Sequence, residues 1–188
     1  MIILILPDTT PDMELLARAK QGDREAQRVI YNRYFEPIYQ FVRLRVDDRE
    51  QARDITADVF LDFFVSLHRG RPPRKSLRAW LFRVARHKIY DHYGARQRLT
   101  TTSLEEWMPS DAADSPEAQA MHAHRLERVR RALQQLSEDQ QEVLVLRFGQ
   151  GLSLQETADL MDKSVSAVKS LQFRATEALR RVLGEEGT

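Results

Sequence analysis

The chain has 188 residues, 42% of them hydrophobic and 30% charged, enough apolar material for one domain or two small ones. It has no cysteine, which excludes disulfides, thiol nucleophiles and cysteine-based zinc sites and fits a reducing, cytoplasmic setting. A formal net charge of +1 conceals segregation: residues 1–98 carry 19 basic and 13 acidic side chains, residues 99–120 carry five acids and no Lys or Arg, and residues 121–188 carry ten of each. Two modules joined by an acidic strap fit that distribution, whereas one uniform DNA-binding surface does not.

The opening Met1-Ile2-Ile3-Leu4-Ile5-Leu6 has no basic flank. It is far shorter than the roughly 20 residues of a membrane helix, so membrane insertion is not expected. Helical periodicity dominates the remainder, with no strand pattern. Thr10 with Pro11 opens a first helix that ends near Gln21-Gly22. Asp23 caps the next, and Pro37 marks a new start after it. Asp47 caps a helix running to about Leu67, and Gly70-Arg71-Pro72-Pro73 breaks the chain. Ser76 caps a helix from Leu77 to Tyr93.

The stretch from Thr100 to Pro116, rich in Thr, Ser, Pro and acids, reads as a linker. Helix resumes near Glu117 and runs to about Gln135. Ser137-Glu138-Asp139-Gln140 is a capping box for a helix that stops at Gly149. Ser153-Leu154-Gln155-Glu156 is another, opening a short helix through Met161. Asp162-Lys163 makes a tight break and Ser164 caps a longer last helix, which together give a helix-turn-helix. The expected fold is all-α: two small helical domains (10–98 and 118–184) joined by a flexible acidic linker (99–117), the second domain containing the helix-turn-helix.

Three helices carry distinctive surfaces. On the last one, Val165, Val168, Leu171, Ala175, Ala178, Leu179 and Val182 share a broad face. Ser166, Lys169, Ser170, Arg174, Arg180 and Arg181 share the other, with Phe173 among them. A Phe on the polar face of a basic helix has no core to fill, and in a major groove it meets thymine methyls or sugars. Upstream, residues 69–98 hold ten Lys or Arg and one acid. There Arg83, Arg86, His87 and Tyr90 form a stripe at i, i+3, i+4 and i+7. Cations tracking phosphates and a ring that stacks on bases suit single-stranded nucleic acid.

The helix before it has an apolar surface of Ile55, Val59, Phe60, Phe63, Phe64 and Leu67, and a carboxylate row of Asp54, Asp58 and Asp62. That row fits a basic protein surface. No other acids cluster beside it in sequence, so no metal site is expected. There is no glycine-rich phosphate loop and no nucleophile–base arrangement, so no catalytic residues, cofactor or small-molecule substrate are expected.

Taken together these segments resemble a small bacterial sigma factor of the extracytoplasmic-function group, over nearly the whole chain from Leu15 to Leu183. Ala52 to Phe60 is similar to that group's core-polymerase-binding helix, which puts Asp54, Ala57, Asp58, Phe60 and Leu61 against RNA polymerase. Ser76 to His87 is similar to the segment that melts and reads the minus-ten element, which adds Leu77 and Trp80 to Arg83, Arg86, His87 and Tyr90 as strand contacts. Gly151 to Met161 with Ser164 to Ser170 is similar to the minus-thirty-five reader, whose expected contacts are Ser166, Lys169, Ser170, Phe173 and Arg174. The resemblance implies core RNA polymerase and promoter DNA as partners, admits an anti-sigma protein, and leaves the chemistry to the polymerase.

The chain departs from the group's pattern in four places. Leu77 stands where an aromatic is common, His87 where an Asn is common, and Ala57 where a Gln is usual. Leu171-Gln172 replaces the Arg and aliphatic residue of many members. The competing readings are a stand-alone helix-turn-helix regulator, for which no dimerising heptad seam is present, and a protein-binding adaptor that no longer reads DNA. Lys169, Phe173 and Arg174 argue against the adaptor.

Overall fold

The computed structural model describes residues 11–73, 76–93 and 135–185, with scattered positions between 119 and 133. The apolar opening segment, the expected linker and the Val182 side chain lie outside what is described. The described elements are helical throughout. The first domain comprises α1 (Asp12–Lys20), α2 (Arg24–Arg43), α3 (Arg49–His68) and α4 (Leu77–Tyr93). The second comprises α5 (Glu138–Leu144), a π-helical turn (Val145–Gly149), α6 (Leu154–Met161) and α7 (Val165–Glu185).

Asp23 caps α2 by accepting from the N–H groups of Glu25 and Ala26, and its carboxyl sits below the usual range because Arg18 hydrogen-bonds to it. Pro37 does not start a new helix; it lies inside α2. Ile30, Tyr34, Ile38, Phe41 and Val42 form one buried stripe that runs straight through it. A proline inside a helix costs about 3 kcal/mol. Burying each large apolar side chain returns about 1.5–3 kcal/mol, so the stripe outweighs the break.

The cap of α3 is Asp48 rather than Asp47, with Oδ1 accepting from the Gln51 N–H at 2.8 Å. The Asp47 carbonyl accepts instead from the fully buried Arg43. Helix α4 closes the core on α3 through Trp80, whose ring stands 5.9 Å from that of Phe63, and on α2 through Phe82, edge to face with Phe41 at 5.2 Å. At the surface Lys88 of α4 reaches Asp62 of α3 at 2.9 Å.

In the second domain both capping boxes form as the residue pattern requires, at Ser137 with Gln140 and at Ser153 with Glu156. The helix opened by Ser137 changes to π geometry at Val145 before ending at Gly149. Gln141 is buried there and donates to the carbonyls of Leu133 and Leu136, which ties α5 to the preceding helical residues. Asp162, at φ 54°, makes the left-handed break between α6 and α7. Val168, Leu171 and Ala175 of α7 are buried in the same core as Leu146, Leu160 and Met161.

Candidate nucleic-acid and polymerase interfaces

The amphipathic pattern of α7 sorts its residues cleanly. Because Val168, Leu171 and Ala175 enter the core, Ser166, Lys169, Ser170, Phe173 and Arg174 all face solvent. Phe173 is 66% exposed and lines one open depression with Lys169, Ser170 and Arg174. Ser164 caps this helix by accepting from the Ala167 N–H at 3.2 Å, which satisfies one of the orphan amides of the first turn. The result is a basic, partly aromatic, exposed helix face on the second helix of a helix-turn-helix.

On α3 the same sorting exposes Asp54, Ala57, Asp58, Leu61 and Asp62 along one face, with Leu61 60% exposed. Phe60 departs from the expectation. It is 2% exposed and packs among Tyr31 and Phe35, so it shapes the domain rather than offering itself to a partner. An apolar tip flanked by three carboxylates suits a basic helical surface, although Lys88 already draws on Asp58 and Asp62.

The α4 stripe divides. His87 and Tyr90 are exposed, and Trp80 is half-buried at the mouth of a groove. Leu77 is 1% exposed and serves the core, so it presents no surface to a strand. That burial follows from its position one residue after the Ser76 cap, where the first turn of α4 meets the bundle. Arg83 is exposed and Arg86 half-buried, and both also bond to the second domain. Arg83 donates to the Asp159 carbonyl at 2.7 Å. Arg86 donates to Glu142 at 2.9 Å and to the Leu160 carbonyl at 3.3 Å.

These bonds belong to a contact between the two domains that local sequence patterns did not reveal. Ser76 Oγ donates to Glu156 Oε1 at 2.6 Å, and Arg78 donates to the Gln150 carbonyl. Burial works against a charged Glu156, but hydrogen bonds from Ser76 and from Ser153 outweigh it and hold the carboxyl below the usual glutamate range. Between α4 and α6 runs a groove of about 770 Å³, lined by Pro73, Trp80, Arg83, Glu156, Asp159 and Lys163. Arg45, Arg78, Glu142 and Glu156 thus join the stripe, and only Glu156 carried a sequence signal, its capping box.

Two family models match the chain. Sigma-70 region 2 matches residues 30–99, and Sigma-70, region 4 matches residues 132–181. The chain is 33% identical over 180 residues to the ECF RNA polymerase sigma factor BldN of Streptomyces coelicolor, covering 95% of this chain and 68% of that protein. It is 32% identical over 162 residues to the ECF RNA polymerase sigma factor SigX of Bacillus subtilis, covering 84% of this chain and 83% of SigX. Among solved structures, CnrH in complex with the cytosolic domain of CnrY aligns with a TM-score of 0.67 and 26% identity, over 94% of this chain and 99% of CnrH. Region 2 falls on α2 to α4 and region 4 on α5 to α7, each with its expected helices, which leaves no room for the stand-alone regulator. The chain belongs to the extracytoplasmic-function group of the sigma-70 family and is an alternative sigma factor.

Proposed function

We propose that this sigma factor divides promoter recognition among three helix faces. The exposed face of α3, with Asp54, Ala57, Asp58 and Leu61, docks on core RNA polymerase. The outer face of α7, with Ser166, Lys169, Ser170, Phe173 and Arg174, reads the minus-thirty-five element. The α4 stripe of Arg83, Arg86, His87 and Tyr90, with Trp80 beside it, lines the melted strand at the minus-ten element. The observation that carries this reading is Phe173, whose ring is 66% exposed on a basic helix whose opposite face buries Val168, Leu171 and Ala175 in the core.

Docking is driven by an apolar centre with an acidic rim, where charges govern on-rate and salt sensitivity. Each DNA face alone offers few phosphate contacts and binds weakly. Polymerase supplies the catalysis and holds the two domains at promoter spacing, so effective concentration joins two weak sites into one strong one. The chain needs no catalytic residue of its own and acts where polymerase and promoter are, in the cytoplasm. CnrH is seen with the cytosolic domain of CnrY, which supports a protein partner of anti-sigma type for this chain as well.

Run-off transcription with core polymerase on a promoter library tests the reading. Factor-dependent transcripts are expected from a promoter class with a defined upstream element. Equal transcription with and without the chain refutes it.

A further inference from the structure

Arg45 lies in the turn after α2 and Arg86 on α4, yet they converge on one oxygen atom of the second domain. Arg86 Nε donates to Glu142 Oε1 at 2.9 Å, and Arg45 Nη2 lies 3.9 Å from that same oxygen. The Glu142 and Arg45 side chains are only 13% and 11% exposed. The Arg45 guanidinium stands 4.7 Å over the Phe41 ring, which packs edge to face on Phe82. Core aromatics therefore fix the plane of this cation in advance. Its Nη1 is buried and has no hydrogen-bond partner among the described residues.

Two guanidinium groups thus face one carboxylate. Asp162 approaches Arg86 at 3.9 Å but is 83% exposed, and such a pair contributes little. The site is short of negative charge and of acceptor atoms. A phosphodiester carries the same single charge as Glu142, with two free oxygens that fit the planar fork of arginine.

We propose that Arg45 and Arg86 form a binding site for a backbone phosphate of single-stranded DNA, and that Glu142 fills it as an internal surrogate while the domains are closed. This rests on the reading that α4 lines the melted strand. The contacts made by Ser76, Arg78 and Arg83 to the second domain are released with the same opening motion. Strand and second domain therefore compete for one set of cations. Nothing in the local pattern around Arg45 marks it for this role; only the fold places it beside Arg86.

The test is fluorescence anisotropy of the full chain with a short, mixed-sequence, fluorescein-labelled single strand across a salt series. Glu142→Gln should bind it up to about fivefold more tightly, the scale set by one partly exposed ion pair. Glu142→Asp keeps the charge but withdraws it from both arginines, and it should also bind more tightly. If Glu142→Gln strengthens binding and Glu142→Asp does not, the gain is mere net charge and the surrogate is refuted. In the Glu142→Gln background, Arg45→Gln should weaken binding and reduce the slope of log affinity against log salt by about 0.7, one phosphate contact on a single strand. An unchanged slope with Arg45→Gln, while Arg83→Ala or Arg86→Ala still weakens binding, removes Arg45 and leaves the α4 reading standing. Unchanged binding by Arg83→Ala and Arg86→Ala together overturns the α4 reading itself. Circular dichroism of each variant confirms that both domains are folded.

Discussion

Ser76 Oγ and Glu156 Oε1 lie 2.6 Å apart, and each also belongs to a helix cap of its own domain. Ser76 accepts from the Ala79 N–H at the start of α4, and Glu156 closes the capping box of α6 through the Ser153 N–H. The two helix starts are thereby clasped to each other. Glu156 is held below the usual glutamate range, burial opposing the charge and the Ser76 and Ser153 hydrogen bonds favouring it. A carboxyl held below its unfolded value stabilises the folded chain above that value, and the contribution is lost as pH falls through the folded one. Folding stability should therefore decline progressively below about pH 4.5. Urea unfolding across that window should show the loss, and Glu156→Gln should flatten the dependence.

Arg174→Ala should weaken binding to a minus-thirty-five-containing duplex by about 1–3 kcal/mol, the range for a bidentate base contact. Phe173→Ala should relax sequence preference while leaving the salt slope alone. Because both side chains are exposed, thermal stability should change by no more than about 0.5 kcal/mol. Electrophoretic mobility shifts with holoenzyme, beside calorimetric melting of the free chain, separate the two effects. Wild-type binding by both variants would rule out this face as the reader.

On α3 the expected behaviours of neighbours diverge. Asp54→Arg with Asp58→Arg should abolish co-purification with core polymerase at unchanged helicity. Phe60→Ala should cost about 3–5 kcal/mol of stability, because it empties a site in the aromatic core. A pull-down paired with urea unfolding distinguishes the docking residue Asp58 from the packing residue Phe60 two positions along.

Pro37→Ala should raise stability by about 1–3 kcal/mol, since it supplies the missing N–H and removes the ring's clash in the middle of α2. Denaturant unfolding followed at a tryptophan provides the measurement. Unchanged stability would mean that α2 has relaxed fully around the ring.

How far the residues disclosed the structure depended on how local each cause was. Caps at Asp23, Ser76, Ser137, Ser153 and Ser164 and the break at Asp162 are decided within four or five residues, and all were readable in advance. The face of α7 was equally readable, because one helix wheel settles it. Pro37 departs from the local expectation because propensity alone cannot weigh the burial of the apolar stripe of α2 against the other helices. Resemblance to a motif assigns Leu77 and Phe60 to partner surfaces, whereas packing across the first domain buries both. Glu142 gave no signal at all. Its partners Arg45 and Arg86 lie far back in the chain, and no periodicity spans that distance.

On α7 the side chains proposed to touch DNA and those that hold the fold together share no member: Val168, Leu171 and Ala175 point one way, Ser166, Lys169, Ser170, Phe173 and Arg174 the other. If the outer face reads the upstream element as proposed, a mutation there retargets the factor without loss of stability. The α4 stripe has no such freedom, since Arg83 and Arg86 also hold the second domain in place. Descendants of this chain should therefore drift quickly in upstream preference and slowly in minus-ten preference, so that new regulons are acquired from the far end of the promoter first.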